Sequence, residues 1–200
     1  NVITSDKTHL IKVATTQNNC PVLHECMNFA KKNNIYISIG SLLLKTNNSK
    51  KMINRSIFIN NKGEIINHYD KIHLFDAKIN NNEIHQESKT FKKGNSIVMV
   101  NLPWGKFGLT ICYDIRFPML YKQLVKLGCK FLIIPSAFTI PTGKAHWKIL
   151  LQSRAIENSS YIIAAAQCGI HHGSRQTYGH SMIVDPWGKI ILKGSTKPGI

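Results

Sequence analysis

Cys112 is the residue of this sequence whose type and position best suit covalent chemistry. The apolar residues 109–111 lead directly to it, and the polar residues Tyr113, Asp114 and Arg116 follow it. A cysteine at such a junction can act as a nucleophile, with the thiolate as the attacking species. Because an ordinary thiol needs help to ionise at neutral pH, we expect a cationic or basic partner elsewhere in the chain.

A second interpretation of Cys112 stays open at this point. Free cysteines are usually buried and behave as small hydrophobic residues. The polar side chains of Tyr113, Asp114 and Arg116 count against that interpretation, since a strand that ends in the interior would need hydrogen-bond partners for each of them. The sequence therefore favours a nucleophile over a core residue.

The segments on either side of Cys112 predict how it is positioned. Residues 108–111 have the pattern of the end of a buried strand, and residues 119–127 predict a helix that stops at Gly128. A strand-to-helix turn holds its first side chain rigidly and can direct backbone N–H groups at a developing negative charge. Such a turn is typical of a catalytic nucleophile.

An amphipathic helix is predicted over residues 21–34, with Pro21 in its first turn. Residues 1–19 are polar and carry no clear pattern. Apolar residues recur at helical spacing and predict one buried face, made of Val22, Leu23, Cys26, Phe29 and Ala30.

Strands account for most of the other periodic segments. The Asn and Gly residues at 60–63 predict a turn between strands at 53–59 and 64–68. Residues 76–94 are polar with little periodicity, so we expect a long loop, which is often functional. One more helix is predicted at residues 147–158, and further strands at 35–44, 97–102, 107–111, 131–134, 161–167, 178–184 and 189–192. This alternation predicts an α/β chain with mixed sheets, in one domain over residues 1–200.

The formal net charge of +16 would suit a nucleic acid, an acidic membrane or an acidic small molecule. The lysines are scattered, and no basic stripe is interleaved with aromatic residues. The joint abundance of Lys, Asn and Ile is the bias that A+T-rich coding DNA produces. Nucleic-acid binding is therefore a third-ranked function, whereas an acidic substrate would still be attracted.

Cysteine and histidine spacing argue against a metal site. The five cysteines form no CxxC pair, which favours a reducing compartment and no structural zinc. His146, His171, His172 and His180 show no HxxxH spacing and no clustered carboxylates. No apolar run approaches the length of a membrane span, and no signal-peptide pattern opens the chain. We expect a cytoplasmic protein without a metal, a cofactor or a membrane partner.

Several segments resemble the nitrilase (carbon-nitrogen hydrolase) superfamily, in the order in which the family has them. Residues 112–118 are similar to its nucleophile segment, and residues 69–76 to its lysine segment. Further matches follow at residues 145–147, 154–158 and 164–169. The most specific match is YGHSMIVDPWG at residues 178–188, and the chain is most similar to the branch that contains deaminated glutathione amidase and ω-amidase.

The resemblance implies a fold, a reaction and a set of site residues. The fold would be an αββα four-layer sandwich with two mixed sheets, assembled into homo-oligomers. The reaction would be hydrolysis of a non-peptide C–N bond, in the amide of a small acidic molecule, through a cysteine thioester. Cys112 would be the nucleophile, while Lys71 and the backbone N–H of Tyr113 would stabilise the oxyanion.

The resemblance also implies residues around this pair. Glu87 lies near the position of a second, structural glutamate of the superfamily and would support Lys71, with Glu83 as the weaker alternative. The substrate pocket would be bordered by Ser136, Ala137, Phe138 and His146.

The family's general-base glutamate belongs to a Pro-Glu motif that precedes the helix at residues 21–34, and this sequence contains no Pro-Glu. We therefore expect the domain to be partial at both ends and the chain alone to be nearly inactive, because a general base typically contributes a rate factor of about 10²–10⁴. The alternative function is a catalytically inactive remnant that lacks this base.

Overall fold

Two β-sheets pack face to face in the computed structural model, which describes residues 6–46, 49–80, 83–172 and 175–199. The helices are α1 (Lys7–Val13), α2 (Pro21–Asn33), α3 (Pro118–Lys126), α4 (Ile140–Thr142) and α5 (Lys148–Asn158). The strands are β1 (Ile37–Thr46), β2 (Ser49–Ile59), β3 (Ile65–Asp70), β4 (Asp76–Asn80), β5 (Glu83–Gln86), β6 (Val98–Leu102), β7 (Gly105–Leu109), β8 (Cys129–Ile133), β9 (Tyr161–Ala164), β10 (Cys168–Ile170), β11 (Gln176–Tyr178), β12 (Met182–Val184) and β13 (Ile190–Lys193). Single 3₁₀ turns lie at Gln17–Asn19, Glu87–Lys89 and Cys112–Arg116, and a π-helical turn at Gly143–Trp147 joins α4 to α5.

The first sheet has the order β1-β2-β3 and is antiparallel. Helix α2 covers its outer face, where Leu23 and Ala30 pack with Leu44, Ile57 and Ile59. The turn between β2 and β3 approaches α2 closely, because a Cβ at Gly63 would lie 2.5 Å from a backbone oxygen of the helix. The turn predicted at residues 60–63 therefore also fixes the sheet against its helix.

The second sheet is mixed, with the order β13-β12-β9-β8-β7-β6. Strands β7, β8 and β9 run parallel, and the outer pairs are antiparallel. Helices α3 and α5 cover its outer face through Leu124 and Leu151, which pack with Leu132, Ile162 and Val184. This arrangement places β7, which leads to Cys112, between the edge strand β6 and the parallel strand β8.

The inner faces of the two sheets share a core. Phe58 and Tyr69 of the first sheet pack with Val100, Leu109 and Ile133 of the second. The layers are thus helix, sheet, sheet and helix, which confirms the predicted α/β sandwich. No helix in the part of the chain that the structure describes is long and apolar enough to cross a bilayer.

Three sequence predictions differ from the observed elements. Residues 76–94 are not one long loop, because β4 and β5 form a hairpin within them. The strand predicted at 161–167 ends at Ala164. The strand predicted at 178–184 is interrupted at residues 179–181, where Gly179 and His180 have positive φ.

The buried face predicted for α2 is also partly wrong. Leu23 and Ala30 are buried, but Val22 and Phe29 are 53% and 56% exposed. The apolar stripe is therefore wider than the surface that β1 and β2 cover, and its outer positions stay in contact with solvent.

Candidate active site

Cys112 sits in a tight turn between the end of β7 and helix α3. Its backbone has a φ of +52°, in the left-handed region, and it begins the 3₁₀ turn Cys112–Arg116. A non-glycine residue in this region costs about 1–3 kcal/mol, and the conformation persists only where the surroundings fix it. The N–H of Cys112 donates to the carbonyl oxygen of Pro135, at 2.9 Å, which anchors the turn to the segment after β8. The predicted strand-to-helix turn is present, and a 3₁₀ turn separates the strand from helix α3.

Asp114 ties this turn to the lysine segment. Its side chain is fully buried, and Oδ2 accepts hydrogen bonds from the Ile111 N–H and the Tyr69 hydroxyl, both at 2.8 Å. Oδ1 accepts the His73 N–H at 3.0 Å. Burial and the negative charge of Asp114 raise the pKa of Tyr69, so this hydroxyl remains a donor. Sequence reasoning noted Asp114 only as a polar neighbour of Cys112. Its partners Tyr69 and His73 lie more than forty residues upstream and could not be predicted from the local pattern.

Lys71 is buried directly after β3 and forms an ion pair with Glu87. The Lys71 Nζ lies 2.5 Å from Glu87 Oε2, and the lysine is only 3% exposed. Burial alone would lower the pKa of Lys71, but the carboxylate of Glu87 and the nearby Cys112 outweigh it, and the net pKa is raised. Lys71 is therefore a cation at neutral pH.

The carboxylate of Glu87 is held from three sides. Besides Lys71, Oε2 accepts the Phe75 N–H at 2.6 Å, and Oε1 accepts the Asn54 amide at 3.3 Å. The Asn54 side chain in turn accepts a short hydrogen bond from the Ser41 hydroxyl. Sequence reasoning missed Asn54 and Ser41, because neither belongs to a segment that suggested chemistry.

Cys112, Lys71 and Glu87 line one cavity of about 340 Å³. Its wall contains four cationic side chains, Lys71, Lys89, Arg116 and Arg175, and a single carboxylate, Glu87, among the described residues. The other lining residues are Leu10, Gly40, Ser41, Leu43, Asn54, Phe75, Ile84, His85, Gln86, Thr90, Phe91, Ile111, Tyr113, Pro135, Ser136, Ala137, Phe138, Thr139 and Thr142. The cavity is therefore strongly positive.

Most of the predicted pocket residues meet in this cavity. Ser136, Ala137 and Phe138 follow β8 and line it, as does Tyr113, whose N–H lies in a first helical turn, where amides have no acceptor within the helix. His146 does not line it: this side chain is exposed and contacts Arg116, with 3.1 Å between Nδ1 and the guanidinium. The side chain of Glu83 lies outside the described residues.

No group of three or more metal-ligating side chains was found within the described ranges. The Nδ1 of His180 donates to the Tyr178 carbonyl oxygen, and the Nε2 of His171 shares a hydrogen bond with the Thr177 hydroxyl, so both imidazoles have protein partners.

The whole chain, residues 1–200, matches the carbon-nitrogen hydrolase family. The chain belongs to this family. It is 48% identical over 173 residues to a deaminated glutathione amidase of Dictyostelium discoideum, covering 85% of this chain and 60% of that protein. It is 42% identical over 182 residues to one of Yersinia enterocolitica, covering 89% and 63%. The chain thus spans about three fifths of the length of these curated relatives.

The fold agrees with solved members of the carbon-nitrogen hydrolase family. The crystal structure of the Caenorhabditis elegans NitFhit protein superposes with a TM-score of 0.89 at 41% identity, over 98% of this chain and 48% of that one. The likeness covers both sheets and the helices on them, which confirms the expected nitrilase-type sandwich.

Proposed function

We propose that the cavity hydrolyses the amide of a small molecule through a thioester on Cys112. The Cys112 sulfur attacks the amide carbonyl carbon, the C–N bond breaks, and the nitrogen leaves as ammonia after taking up a proton. Water then attacks the thioester, which releases the carboxylic acid and restores the thiol. The observation that carries this proposal is the meeting of Cys112 with the buried Lys71 in one cavity.

In this mechanism Lys71 acts as a fixed positive charge. Its raised pKa makes it a poor proton acceptor at neutral pH, so it stabilises the oxyanion of the tetrahedral intermediate. The backbone N–H of Tyr113 is the second proposed donor to that oxygen. Glu87 keeps Lys71 charged and in place, since its carboxylate already accepts hydrogen bonds from Lys71, Phe75 and Asn54.

One observation favours the second candidate, a protein that forms the thioester but does not turn over. Glu87 is the single carboxylate that lines the cavity in the described part of the chain, and it already accepts hydrogen bonds from Lys71, Phe75 and Asn54. A general base near Cys112 must therefore come from elsewhere or from solvent.

The proposed substrate is the amide of an acidic molecule. The cavity wall has four cations and one carboxylate, so it attracts an anion. The two relatives that carry the name deaminated glutathione amidase support an amide substrate.

Ammonia release from glutaramate, the monoamide of glutaric acid, tests the reaction. Because no free general base lines the cavity in the described part of the chain, we expect slow but continuous release by the wild-type chain. Release should be lost in Cys112→Ser and unchanged in Cys168→Ser, whose thiol does not line the cavity. Release of one equivalent followed by arrest supports the second candidate, and release that survives Cys112→Ser contradicts the proposal.

A further inference from the structure

Arg175 has a buried donor without an acceptor. Its side chain lines the cavity that contains Cys112, and its Nε is buried and has no hydrogen-bond partner among the described residues. A buried N–H that has lost its water and gained no acceptor is costly, by about 1–3 kcal/mol or more for a charged group. Native proteins rarely leave such a group unexplained. The donor therefore indicates a ligand with an acceptor atom in the cavity.

The hairpin of β10 and β11 fixes the backbone at Arg175. The His171 N–H donates to the carbonyl oxygen of Arg175 at 2.7 Å, and the Tyr178 N–H donates to that of Phe138 at 2.9 Å. A Cβ at Gly143 would lie 2.2 Å from the Tyr178 ring, so the segment after α4 packs directly on this hairpin. Arg175 and Phe138 therefore line the same side of the cavity.

Glu87, the one carboxylate among the described residues that line the cavity, is not a partner of Arg175. Glu87 is committed to Lys71, Phe75 and Asn54. Arg116 differs from Arg175, because it contacts His146 and lies 5.6 Å from the centre of the Phe138 ring. Arg175 forms no ion pair with a carboxylate in the described ranges.

We propose that Arg175 binds the carboxylate of the substrate and thereby selects amides that carry an acidic group. A guanidinium matches a carboxylate with two parallel N–H···O bonds, which a lysine ammonium cannot reproduce. This inference rests on the proposed function, because it places the amide carbonyl at Cys112 and Lys71. Arg175 determines specificity and orientation and takes no part in bond breaking.

Binding to the full chain that carries Cys112→Ala tests this role without turnover. Ligand-observed NMR titrations compare glutaramate with glutaramide, its neutral diamide. We expect tighter binding of glutaramate, a loss of about tenfold or more in Arg175→Gln, and a smaller loss in Arg175→Lys. Glutaramide should bind all variants equally. Lys89→Gln is the control for the general positive field, since Lys89 is an exposed cation on the same cavity.

Each result decides between the two proposals. Equal affinity of Arg175→Gln and its parent for glutaramate, an equal loss for glutaramide, a loss as large in Lys89→Gln, or no binding of glutaramate at all overturns the role of Arg175. If binding depends on Arg175 but the wild-type chain releases no ammonia, the anion site stands and the hydrolase proposal fails.

Discussion

Asp114 is the residue that joins the two halves of the candidate site. Its buried carboxylate accepts hydrogen bonds from Ile111 next to the nucleophile and from Tyr69 and His73 on either side of Lys71. Because two sheets meet at these contacts, one side chain sets the distance between the thiol and the lysine. These contacts and the bond from the Cys112 N–H to the Pro135 carbonyl oxygen fix the turn in which Cys112 has its positive φ.

Asp114→Asn should therefore weaken both the fold and the site. The amide keeps one acceptor oxygen but turns an N–H₂ group toward buried donors, so we expect a loss of about 2–4 kcal/mol in the free energy of unfolding. Urea denaturation measures it. Glu25→Gln, on the exposed face of α2, is the control and should change little. A loss in Asp114→Asn no larger than in the control contradicts the anchoring role.

The Lys71–Glu87 pair predicts a pH dependence with a definite sign. The pKa of Lys71 is raised above its ordinary value of 10.5, against the effect of burial, by Glu87 and Cys112. A raised pKa in the folded state contributes stability that is complete below the unfolded pKa and is lost as the pH rises through the folded one. The difference in unfolding free energy between wild type and Lys71→Met should hold from pH 7 to about 10 and shrink above 10.5. A constant difference up to pH 12 would mean that Lys71 does not titrate in this way.

Among the secondary-structure elements, the β4–β5 hairpin positions Glu87 beside Lys71. Strand β4 follows the lysine segment, and the 3₁₀ turn Glu87–Lys89 follows β5. The Glu87 N–H donates to the Phe75 carbonyl oxygen at 3.2 Å, and the Ser88 N–H donates to Asp76 Oδ1 at 3.0 Å. Burial would raise the pKa of Asp76, but hydrogen bonds from the side chain and backbone of Ser88 and from the backbone of Glu87 outweigh it and lower the pKa.

Asp76→Ala should loosen the turn that carries Glu87. Losing a capping interaction on this exposed side chain should cost about 1 kcal/mol or less of global stability. Hydrogen exchange at the amides of Ser88 and Thr90 should accelerate more than exchange in β7. An unchanged protection pattern would show that the turn does not depend on Asp76.

Sequence patterns predicted the elements that have a clear apolar periodicity or typical turn residues. They failed for elements and contacts that depend on residues distant in the sequence. The turn at Cys112, the hairpin before Lys71 and helix α2 follow from apolar periodicity and from Asn and Gly turn residues. Strands β4 and β5 are short and polar, so residues 76–94 show no periodic pattern. The hydrogen bonds that Glu87 and Asp76 accept near this hairpin exist only in the folded chain. The pairing of Lys71 with Glu87 came from the family resemblance, whereas the donors Asn54 and Ser41 require the folded arrangement of β1 and β2.

At the scale of the whole molecule, helix α5 and the turn before β13 present an apolar outer surface. Ile149 and Ile156 are 64% and 56% exposed, and Trp187 is 89% exposed. The turn abuts α5, since the Gln152 amide donates to the Gly188 carbonyl oxygen at 2.7 Å. We propose that the chain forms homo-oligomers through this outer surface, as the family resemblance implies.

Sedimentation velocity tests the assembly. Ile156→Lys should shift the chain toward monomer, because a buried lysine without a partner opposes association. Phe29→Lys places the same charge on the opposite helical layer and should leave the distribution unchanged. A monomeric wild type, or an equal shift in both variants, contradicts the proposal.

The rate at which each cysteine reacts shows whether Cys112 and Lys71 form one working site. Purified chain is treated with limiting iodoacetamide at neutral pH, and modified peptides are quantified over time in wild type and in Lys71→Met. Cys20 and Cys129 are buried, and burial raises the pKa of Cys129 to about 11, so both should react slowly. Burial also raises the pKa of Cys26, while Cys168 is half-buried and lies outside the cavity.

We expect Cys112 to be modified first, because its thiol lines the open cavity together with the cation Lys71, whereas Cys20 and Cys129 are buried. Lys71→Met should slow modification of Cys112 and leave Cys168 unchanged. Modification of Cys168 as fast as Cys112, with no effect of Lys71→Met on either, would contradict the claim that these residues form a nucleophilic site.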